Sequence, residues 1–417
     1  MKVAIVSDHL PGYHKIWSGA ELIAVTLHDM LKKTGAEAFF ITSTFDANEN
    51  RQYSNVFEVK TPLKKYEVVL GNFPVDLKAI ADLRRILKEQ KPDIVHINGK
   101  YLYLPSIIVC SILKIPFVYT VADYFLFCPR TFIRKPDGSR CEHYHGPECL
   151  ECLSEMKEGS VKEIVSRVPA PLLKIFFQIR KALFNHYNQK VKTYVALSET
   201  SKNRLIEYGI PPDKVRVIYH YFLKELKETK EKIDPTSAIF IGWLSVENGI
   251  HVLVEAFIKV LKDLPEAKLY LIGTGKDKFV AGLKEKINSS NAQDNILFLG
   301  KKENAEALSI MEKCGVVVVP HQWPKEFGPI VLIEAAALGK PVVTGRIGAT
   351  HEFVSDKSNG FLVDSYWDPS AFAEKIHFLL SNPETAREMG RKGKDNVKFV
   401  FDNSYADELI RLYNSLI

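Results

Sequence analysis

The sequence lacks any apolar run that approaches the roughly 18 residues needed by a membrane-spanning helix. It also lacks the pattern of a secretory leader, because the apolar stretch after Lys2 is short and is interrupted by charge at Asp8. That stretch is typical of a first buried strand. These two absences predict a cytoplasmic protein and leave open its attachment to the surface of a membrane.

A large excess of one charge is missing as well. The chain has 56 Lys and Arg residues against 50 Asp and Glu residues, so its net charge is +6 over 417 residues. This balance permits contact with anionic substrates or membrane surfaces but does not indicate a nucleic-acid partner. Hydrophobic residues make up 46% and charged residues 25%, as in ordinary globular proteins. The length predicts two domains, each with its own packed core.

Short apolar runs rich in β-branched residues alternate along the chain with helical patterns. This order predicts α/β domains built on doubly wound parallel sheets. We predict a first Rossmann-like domain over residues 1–222, with a cysteine-rich insertion at 128–152. A charged linker at 223–235 then leads to a second Rossmann-like domain over 236–400.

The most informative stretch holds two glutamates eight positions apart, Glu326 and Glu334. Glu326 lies in a predicted loop, and Glu334 lies about one turn into a predicted helix, Ile330 to Leu338, which Gly339 and Pro341 terminate. Taken alone, two glutamates are more often solvent-exposed surface residues. At the carboxyl end of a parallel sheet, however, they could accept hydrogen bonds from sugar hydroxyls while the helix N-terminus receives an anionic group.

This stretch resembles the E-x7-E signature of the family-4 retaining glycosyltransferases, with Phe327-Gly328-Pro329 after the first acid and three alanines after the second. The resemblance covers nearly the whole chain and implies the GT-B fold, in which two Rossmann-like domains face a cleft. It implies that Glu326 is a catalytic-site acid that holds donor-sugar hydroxyls and that Glu334 holds the nucleotide ribose. The last helix, 401–417, is expected to return to the first domain. The donor site would also include the residues between the two acids: Phe327, Gly328, Pro329 and Ile330.

Weaker matches to the same family lie elsewhere in the chain. Gly19, in Ser18-Gly19-Ala20-Glu21, resembles the family's Gly-Gly-x-Glu loop beside the donor diphosphate. Gly273 follows a predicted strand in a loop where backbone could approach a nucleotide. Asp123 matches the Asp of the family's His-Asp-Tyr/Phe…Cys-Pro segment and is a candidate catalytic residue. His96, at the carboxyl end of the preceding strand, is a further catalytic candidate expected to face the cleft, with a core or rim histidine as the alternative.

The chain departs from the family at positions where charge matters. Ala122 replaces the family's histidine. Trp243 and Asn248 replace the arginine and lysine that neutralise the donor diphosphate, although the resemblance keeps both positions in the donor site. Losing one strong electrostatic contact typically costs about 3–4 kcal/mol of transition-state stabilisation. Trp243 could instead stack on a sugar or base, or be a core aromatic residue. The cations considered as replacements are Lys301, Lys302 and Arg346.

Four cysteines follow one another in the pattern C-x12-C-x7-C-x2-C, with His143 and His145 between them. Four such thiolates can close a tetrahedral zinc site that would fix the surrounding loop. A disulfide or unpaired thiols are the alternatives, and a reducing cytosol favours metal over a disulfide. The resemblance implies chemistry without a catalytic metal or other cofactor, so such a zinc would be structural. Its candidate ligands are Cys128, Cys141, Cys149 and Cys152.

The segment 161–192 carries seven Lys and Arg residues against one acid, Glu163. Its apolar residues predict a helix with one broad hydrophobic face that packs on the first domain. The alternative is that the segment lies on an anionic membrane and gives access to a lipid-linked acceptor. The residues predicted to share this face are Leu172, Phe176, Ile179 and Leu183.

The resemblance implies a hexosyl-type glycosyltransferase of glycan biosynthesis. It would move a sugar, with retention of configuration, from a nucleotide sugar to a glycan or lipid-linked acceptor. The alternative is a non-catalytic relative that binds a sugar nucleotide or glycan, or that assists another transferase. The residues present at Ala122, Trp243 and Asn248 favour the alternative. The presence of both Glu326 and Glu334 argues against it.

Overall fold

The structure is a computed structural model. It describes residues 1–14, 19–45, 47, 53–61, 76–128, 135, 141, 146, 148–154, 168–219, 234, 236–323, 330–398 and 404–417. The chain forms two compact units. Unit 1 consists of Met1–Leu197, Lys202–His220 and Ser404–Ile417. Unit 2 consists of Ser198–Ser201 and Tyr221–Asn403. Apart from Asp234, the predicted linker lies outside the described residues.

Unit 1 contains a parallel sheet of seven strands in the order β3-β2-β1-β4-β5-β6-β7. Its central strand β1 pairs with β2 on one side and β4 on the other, so that Val3 lies opposite both Ala38 and Ile94. Chain order therefore reverses direction between β1 and β4, the position at which open α/β sheets bind ligands. The strands are β1 (Lys2–Ser7), β2 (Glu37–Ser43), β3 (Val56–Val59), β4 (Ile94–Ile97), β5 (Phe117–Val121), β6 (Thr193–Ala196) and β7 (Val215–Val217).

The core of unit 1 forms where helices bury apolar side chains against this sheet. The terminal helix contributes Tyr405, Ala406, Leu409 and Tyr413 to the same cluster as Val3 of the central strand. The helices assigned to this part of the chain are α1 (Gly19–Lys33), α2 (Leu77–Gln90), α3 (Tyr103–Leu113), α4 (Cys149–Ser154), α5 (Ala170–Asn188), α6 (Glu199–Glu207) and α14 (Ser404–Asn414).

Unit 2 contains a second parallel sheet, with six strands in the order β10-β9-β8-β11-β12-β13. Its strand β11 consists of four buried valines, as expected of a strand covered on both faces. Chain order reverses between β8 and β11. The strands are β8 (Ala238–Ile241), β9 (Leu269–Ile272), β10 (Ile296–Gly300), β11 (Val316–Val319), β12 (Val342–Gly345) and β13 (Gly360–Val363).

The helices of unit 2 bury its sheet from both sides, and the cluster that they form includes Phe240, Phe257 and Phe372. The two sheets confirm the prediction of two α/β Rossmann-like domains. The helices of unit 2 are α7 (Ile250–Val260), α8 (Asp277–Ser289), α9 (Asn304–Lys313), α10 (Ile330–Ala337), α11 (Thr350–Phe353), α12 (Pro369–Ser381) and α13 (Pro383–Asn396).

Helix α5 has a different buried face from the one predicted. The prediction grouped Leu172 with Ile179, but these side chains are 58% and 53% exposed. The error arose because apolar residues surround much of this helix, so spacing alone did not identify the packed side. Within the described parts of the chain, no helix is both long enough and apolar enough to cross a membrane. The side chains that do face the interior are Leu173, Phe177, Arg180 and Phe184.

Candidate functional site

In unit 1, Asp8 joins the carboxyl ends of the two central strands. It follows β1 and is buried. Its carboxylate accepts hydrogen bonds from the backbone N–H groups of Lys100 (2.6 Å), Tyr101 (3.1 Å) and Leu102 (3.0 Å). Gly99 is required in this turn, because a Cβ atom there would lie 2.5 Å from Oδ1 of Asp8. Three charge-assisted bonds on one carboxylate hold the loop after β4 against the end of β1.

A pocket of about 50 Å³ lies beside Asp8. The predicted catalytic residue Asp123 lines it from the end of β5, next to Ala122. The Asp123 carboxylate accepts a hydrogen bond from the N–H of Phe125 at 2.8 Å. Its Oδ2 lies 4.0 Å from Nζ of Lys100. The pocket therefore combines acidic groups with one lysine, and Glu21 and Asn98 complete its polar lining.

The charges in this pocket influence one another. Burial raises the pKa of Asp123, and the carboxylates of Asp8 and Glu21 add to that rise, whereas Lys100 and the N–H of Phe125 oppose it. Burial alone would lower the pKa of Lys100, but the surrounding acids outweigh this effect and raise it. Lys100 is consequently a cation at any physiological pH, and Asp123 is the carboxyl group whose ionisation depends on its neighbours.

Gly19 lies at the start of helix α1, and Glu21 in the first turn brings its carboxylate to the same pocket. Oε1 of Glu21 lies 4.0 Å from Nδ1 of His9, which follows β1. The residue before Gly19 lies outside the described residues. The assignment of Gly19 to the donor diphosphate stays a prediction.

The prediction that His96 faces an open cleft is wrong. Its side chain is fully buried in β4. Nε2 lies 2.6 Å from Oγ1 of Thr120, and Nδ1 is hydrogen bonded to the hydroxyl group of Tyr413 in helix α14. Burial lowers the pKa of His96 to about 3. The ring is therefore neutral and enclosed, as in the core-histidine alternative, because its position in the strand points it toward the terminal helix.

In unit 2, the residue predicted to bind ribose, Glu334, lies in helix α10, the helix assigned after strand β11 in the chain. Only 4% of its surface is exposed. The Asn304 side-chain amide, at the start of α9, donates a hydrogen bond to Oε1 of Glu334 at 2.9 Å. A nearly buried carboxylate requires such partners, because removal from water otherwise disfavours its charge. Glu334 is thus a positioned carboxylate rather than a solvated surface residue.

The first acid of the pattern cannot be placed in the same way. Glu326, Phe327, Gly328 and Pro329 lie outside the described residues. Ile330 is the first residue of helix α10 and is half-buried. The convergence of Glu326 with Glu334 therefore stays a prediction.

The two residues that replace the expected diphosphate cations lie together in a turn. The Trp243 side chain is 53% exposed, which excludes the core-aromatic alternative. The Asn248 side-chain amide donates a hydrogen bond to the carbonyl oxygen of Trp243 at 2.7 Å. Asn248 therefore shapes the turn that carries Trp243, and the exposed indole is available to stack on a ligand.

Glycines bring backbone segments of unit 2 into close contact around this turn. A Cβ atom on Gly249 would lie 1.7 Å from the carbonyl oxygen of Pro320, and one on Gly273 would lie 1.8 Å from that of Gly242. Gly249 also has a φ of 70°, which disfavours any other residue. Gly273 was predicted to let a nucleotide approach the backbone. In the structure, the absence of a side chain at Gly273 lets the backbone of Gly242 approach it.

Two of the cations considered as replacements have acidic partners. Lys302 lies 3.0 Å from Glu306. The Arg346 guanidinium lies 2.6 Å from Asp364 and 3.4 Å from Asp356. Each of these two cations forms an ion pair with a carboxylate. Binding of a diphosphate by Lys302 or Arg346 would therefore require that ion pair to rearrange.

The four cysteines of the predicted zinc site all lie among the described residues. Cys128 and Cys149 are buried, and Cys141 and Cys152 are half-buried. Among the described side chains, no three or more from His, Cys, Asp and Glu are placed to hold a metal ion. None of the six cysteines forms a disulfide, and the zinc site stays a prediction. His143 and His145 lie outside the described residues.

Sequence reasoning missed three residues of these sites: Asp8, Lys100 and Asn304. Asp8 gave a usable signal, since an acid directly after a buried strand lies at the ligand-binding edge of a parallel sheet. Lys100 comes three residues after the neighbouring strand β4, so its position also places it at that edge. Asn304, by contrast, is an ordinary polar residue at a helix start, and no local pattern marks it.

Comparison with known proteins agrees with this architecture. Residues 223–396 match the sequence profile described as Glycosyl transferases group 1, and residues 17–221 match the profile described as Glycosyltransferase Family 4. An uncharacterized glycosyltransferase of Methanocaldococcus jannaschii is 26% identical over 380 residues, which cover 89% of this chain and 88% of that protein. N-acetyl-alpha-D-glucosaminyl L-malate synthase of Bacillus anthracis is 21% identical over 405 residues, or 95% of this chain and 93% of that protein.

Solved structures show the same fold. The crystal structure of Anabaena Alr3699/HepE in complex with UDP and glucose superposes with a TM-score of 0.72 at 18% identity, with both chains covered completely. Sucrose-phosphate synthase from Thermosynechococcus elongatus gives a TM-score of 0.69 at 18% identity, covering 100% of this chain and 98% of that one. Because the two halves match complementary glycosyltransferase profiles and the two sheets form a GT-B fold, the chain belongs to the family-4 glycosyltransferases.

Proposed function

We propose that the chain is a retaining, hexosyl-type glycosyltransferase that moves a sugar from a nucleotide-sugar donor to a glycan or lipid-linked acceptor. The similar HepE structures contain UDP with glucose, or UDP-glucose. The name of the Bacillus anthracis relative specifies a glucosaminyl product. These neighbours support a nucleotide sugar as the donor class, and the sugar and base are left to experiment.

The observation that carries the proposal is the position of Glu334. This carboxylate is only 4% exposed and belongs to the helix that follows β11, in the part of an open parallel α/β fold where ligands bind. Asn304 supplies one hydrogen bond and fixes the orientation of the side chain. In the proposed function Glu334 accepts hydrogen bonds from the ribose hydroxyls of the donor, and Glu326 accepts those of the transferred sugar.

In the proposed mechanism the protein positions substrates and stabilises charge. The leaving diphosphate takes the proton of the acceptor hydroxyl on the face from which it departs, so the configuration at the sugar carbon is retained. In unit 2, Trp243 stacks on the donor. In the unit 1 pocket, Asp123 binds a hydroxyl group of the sugar. No metal takes part in these steps.

Calorimetry with a panel of nucleotide sugars tests whether the donor is a nucleotide sugar. We expect one donor class to bind, and Glu334→Ala to weaken binding at least tenfold, since a hydrogen bond to a charged group contributes about 1.5–3 kcal/mol. Glu312→Ala, on the exposed side of α9, is the matched control and should bind like the unmodified chain. Absence of binding by every nucleotide sugar would overturn the proposal.

A non-catalytic sugar-nucleotide-binding or glycan-binding subunit is the second candidate. This candidate is favoured by the presence of Trp243 and Asn248 where the family has two cations. Without those cations, less positive charge is available to stabilise the departing diphosphate. Donor hydrolysis and transfer assays distinguish the two candidates. Tight donor binding without turnover, in the presence of a broad set of glycan and lipid-linked acceptors, would establish the non-catalytic function instead.

We also propose that helix α5 contacts an anionic membrane surface, where a lipid-linked acceptor would reside. Leu172, Ile175 and Ile179 form an exposed apolar stripe on the helix side opposite its packed face. Exposed Lys174 and Lys181 lie together on one side of the stripe. Residues 164–198 contain no Asp or Glu at all, although the chain has 50 of them. An apolar stripe bordered by lysines on an acid-free helix is complementary to anionic lipid.

Sedimentation with vesicles tests this contact. We expect salt-sensitive binding to vesicles of phosphatidylglycerol and little binding to phosphatidylcholine. Ile175→Ser/Ile179→Ser and Lys174→Gln/Lys181→Gln should each weaken it severalfold. Ile112→Ser, which alters an equally exposed isoleucine on α3, should not. Equal sedimentation of all variants, or none with either lipid, would contradict the contact, and a dimer in light scattering would assign the stripe to self-association.

A further inference from the structure

The unit 1 pocket contains a half-buried carboxyl group in an unfavourable electrostatic setting. Asp123 lies beside two other acids, Asp8 and Glu21, in a pocket of about 50 Å³. Like charges and burial both favour the neutral form of such a group. The position next to it, where the family places a histidine, is Ala122, whose methyl side chain offers no proton and no hydrogen bond.

Among the described residues of this pocket, Lys100 is the cation that faces Asp123. Its Nζ lies 4.0 Å from Oδ2 of Asp123, and its ammonium group also lies 5.1 Å from the centre of the Tyr101 ring. The backbone of Lys100 is fixed independently, because its N–H donates to Asp8 at 2.6 Å. The turn that carries the lysine is thereby held beside the carboxyl group that the lysine faces.

We propose that Lys100 is a positioning residue of the unit 1 site: its ammonium group, in the pocket beside Ala122, keeps the Asp123 carboxyl group ionised and fixed in place. This inference rests on the proposed function, in which Asp123 binds a hydroxyl group of the sugar. The groups that act on Asp123 are Lys100 and the N–H of Phe125, which favour its charge, and Asp8 and Glu21, which oppose it. Lys100 thus supplies a charge that Ala122 cannot.

The inference predicts a specific change in pH dependence. An opposite charge at about 4–6 Å typically lowers a carboxyl pKa by 1–3 units. In Lys100→Met, the pKa of Asp123 should therefore rise by at least about one unit, and the acidic limb of the kcat/KM profile for sugar transfer should move up with it. At pH values well below this limb, a rise of one unit corresponds to roughly a tenfold loss of kcat/KM, and at pH values well above it no loss is expected.

Four variants of the full chain separate this role from a structural one. Lys100→Arg keeps the charge and should stay close to the unmodified profile. Lys88→Met, which removes an exposed lysine in the last turn of α2, should have no effect. Ala122→His in the Lys100→Met background should restore part of the loss, since a protonated imidazole would again lie beside Asp123. In Asp123→Asn, adding Lys100→Met should change the profile no further.

The titration of Asp123 is measured independently of turnover by ¹³C NMR of labelled aspartate carboxyl carbons, with Asp123→Asn giving the assignment. Circular dichroism tests whether each variant is folded. If Lys100→Met does not fold, Lys100→Gln is used in its place. A raised Asp123 pKa with a shifted activity profile supports the inference. An unchanged pKa, or an unchanged profile in an active protein, overturns it and leaves the proposed function standing. Failure of the unmodified chain to turn over or bind any donor overturns the proposed function itself.

Discussion

Nδ1 of His96, in the middle of the unit 1 sheet, is hydrogen bonded to the hydroxyl group of Tyr413, 317 positions later in the chain. Both side chains are completely buried. Nε2 of the same imidazole contacts Oγ1 of Thr120 on the next strand. The histidine therefore links two strands to the terminal helix, and its contribution is to the stability of unit 1.

This linkage predicts that stability falls at mildly acidic pH. Burial holds the pKa of His96 at about 3, whereas an unfolded histidine has a pKa of about 6.5. Between these values the unfolded chain binds a proton that the folded chain does not. The stabilisation is complete above about pH 6.5 and is lost as the pH falls toward 3. From pH 7 to pH 5, His96 should lower the free energy of unfolding by about 2 kcal/mol.

Urea unfolding followed by circular dichroism at several pH values measures this effect. His96→Gln should show a flatter pH dependence than the unmodified chain. His186→Gln, which changes an exposed histidine on helix α5, should retain the original dependence. If His96→Gln and the unmodified chain lose stability in parallel between pH 7 and pH 5, another group is responsible.

Much of the fold could be predicted because buried strands have a local signature. Val316–Val319 is a run of four β-branched residues, and no helix or surface loop accounts for it as well as a central parallel strand. The buried side of a helix was harder to predict. Helix α5 has apolar residues on several sides, so local spacing placed Leu172 on the packed face although Leu173 occupies it. The choice between these sides depends on what the rest of unit 1 presents to the helix.

The sites were predictable only where a residue lies at the functional edge of a sheet and also points toward ligand. Glu334 is nearly buried and accepts a hydrogen bond from Asn304, and its contact with a donor stays a prediction. His96 meets only the first, because its ring turns inward to Tyr413, which sequence distance conceals. Lys100 and Asp123 belong to different loops, so their proximity of 4.0 Å arises from strand order and has no signature in either segment.

Gly249 should be among the least replaceable residues of unit 2. In Gly249→Ala the new Cβ atom would lie 1.7 Å from the carbonyl oxygen of Pro320, and the residue would also have to keep a φ of 70°. Because the obstacle is backbone rather than a movable side chain, we expect a loss of about 3 kcal/mol or more in the free energy of unfolding. Thermal and urea denaturation measure it.

Gly282→Ala provides the matched control for this substitution. Gly282 lies inside helix α8, and a Cβ atom added there would meet open space. Alanine there should raise the free energy of unfolding by about 0.5–1 kcal/mol, because it limits the unfolded chain and favours the helix. If Gly249→Ala and Gly282→Ala change the free energy of unfolding equally, the backbone near Pro320 moves easily to make room for the added methyl group.

Asn304 should matter for donor binding only through Glu334. Its amide donates to Oε1 of Glu334 at 2.9 Å and so restrains that carboxylate. Asn304→Ala should raise the dissociation constant of the donor about three- to tenfold, less than Glu334→Ala, and the double variant should bind like Glu334→Ala alone. Calorimetry with the identified donor measures all three constants. Additive losses would mean that Asn304 contacts the donor itself.

The turn that holds Trp243 and Asn248 offers a test of whether missing positive charge limits this enzyme. In Trp243→Arg/Asn248→Lys the two cations of the family's pattern return, and the hydrogen bond from Asn248 to the Trp243 carbonyl is lost. If the diphosphate lies at this turn, two cations should tighten nucleotide-sugar binding about tenfold or more, with a stronger dependence on salt. Asn288→Lys adds a charge on exposed α8 and is the control for a general electrostatic effect. Unchanged affinity in the double variant would place the diphosphate elsewhere, whereas weaker affinity would show that the Trp243 indole is itself a donor contact and that its stacking has replaced charge in this chain.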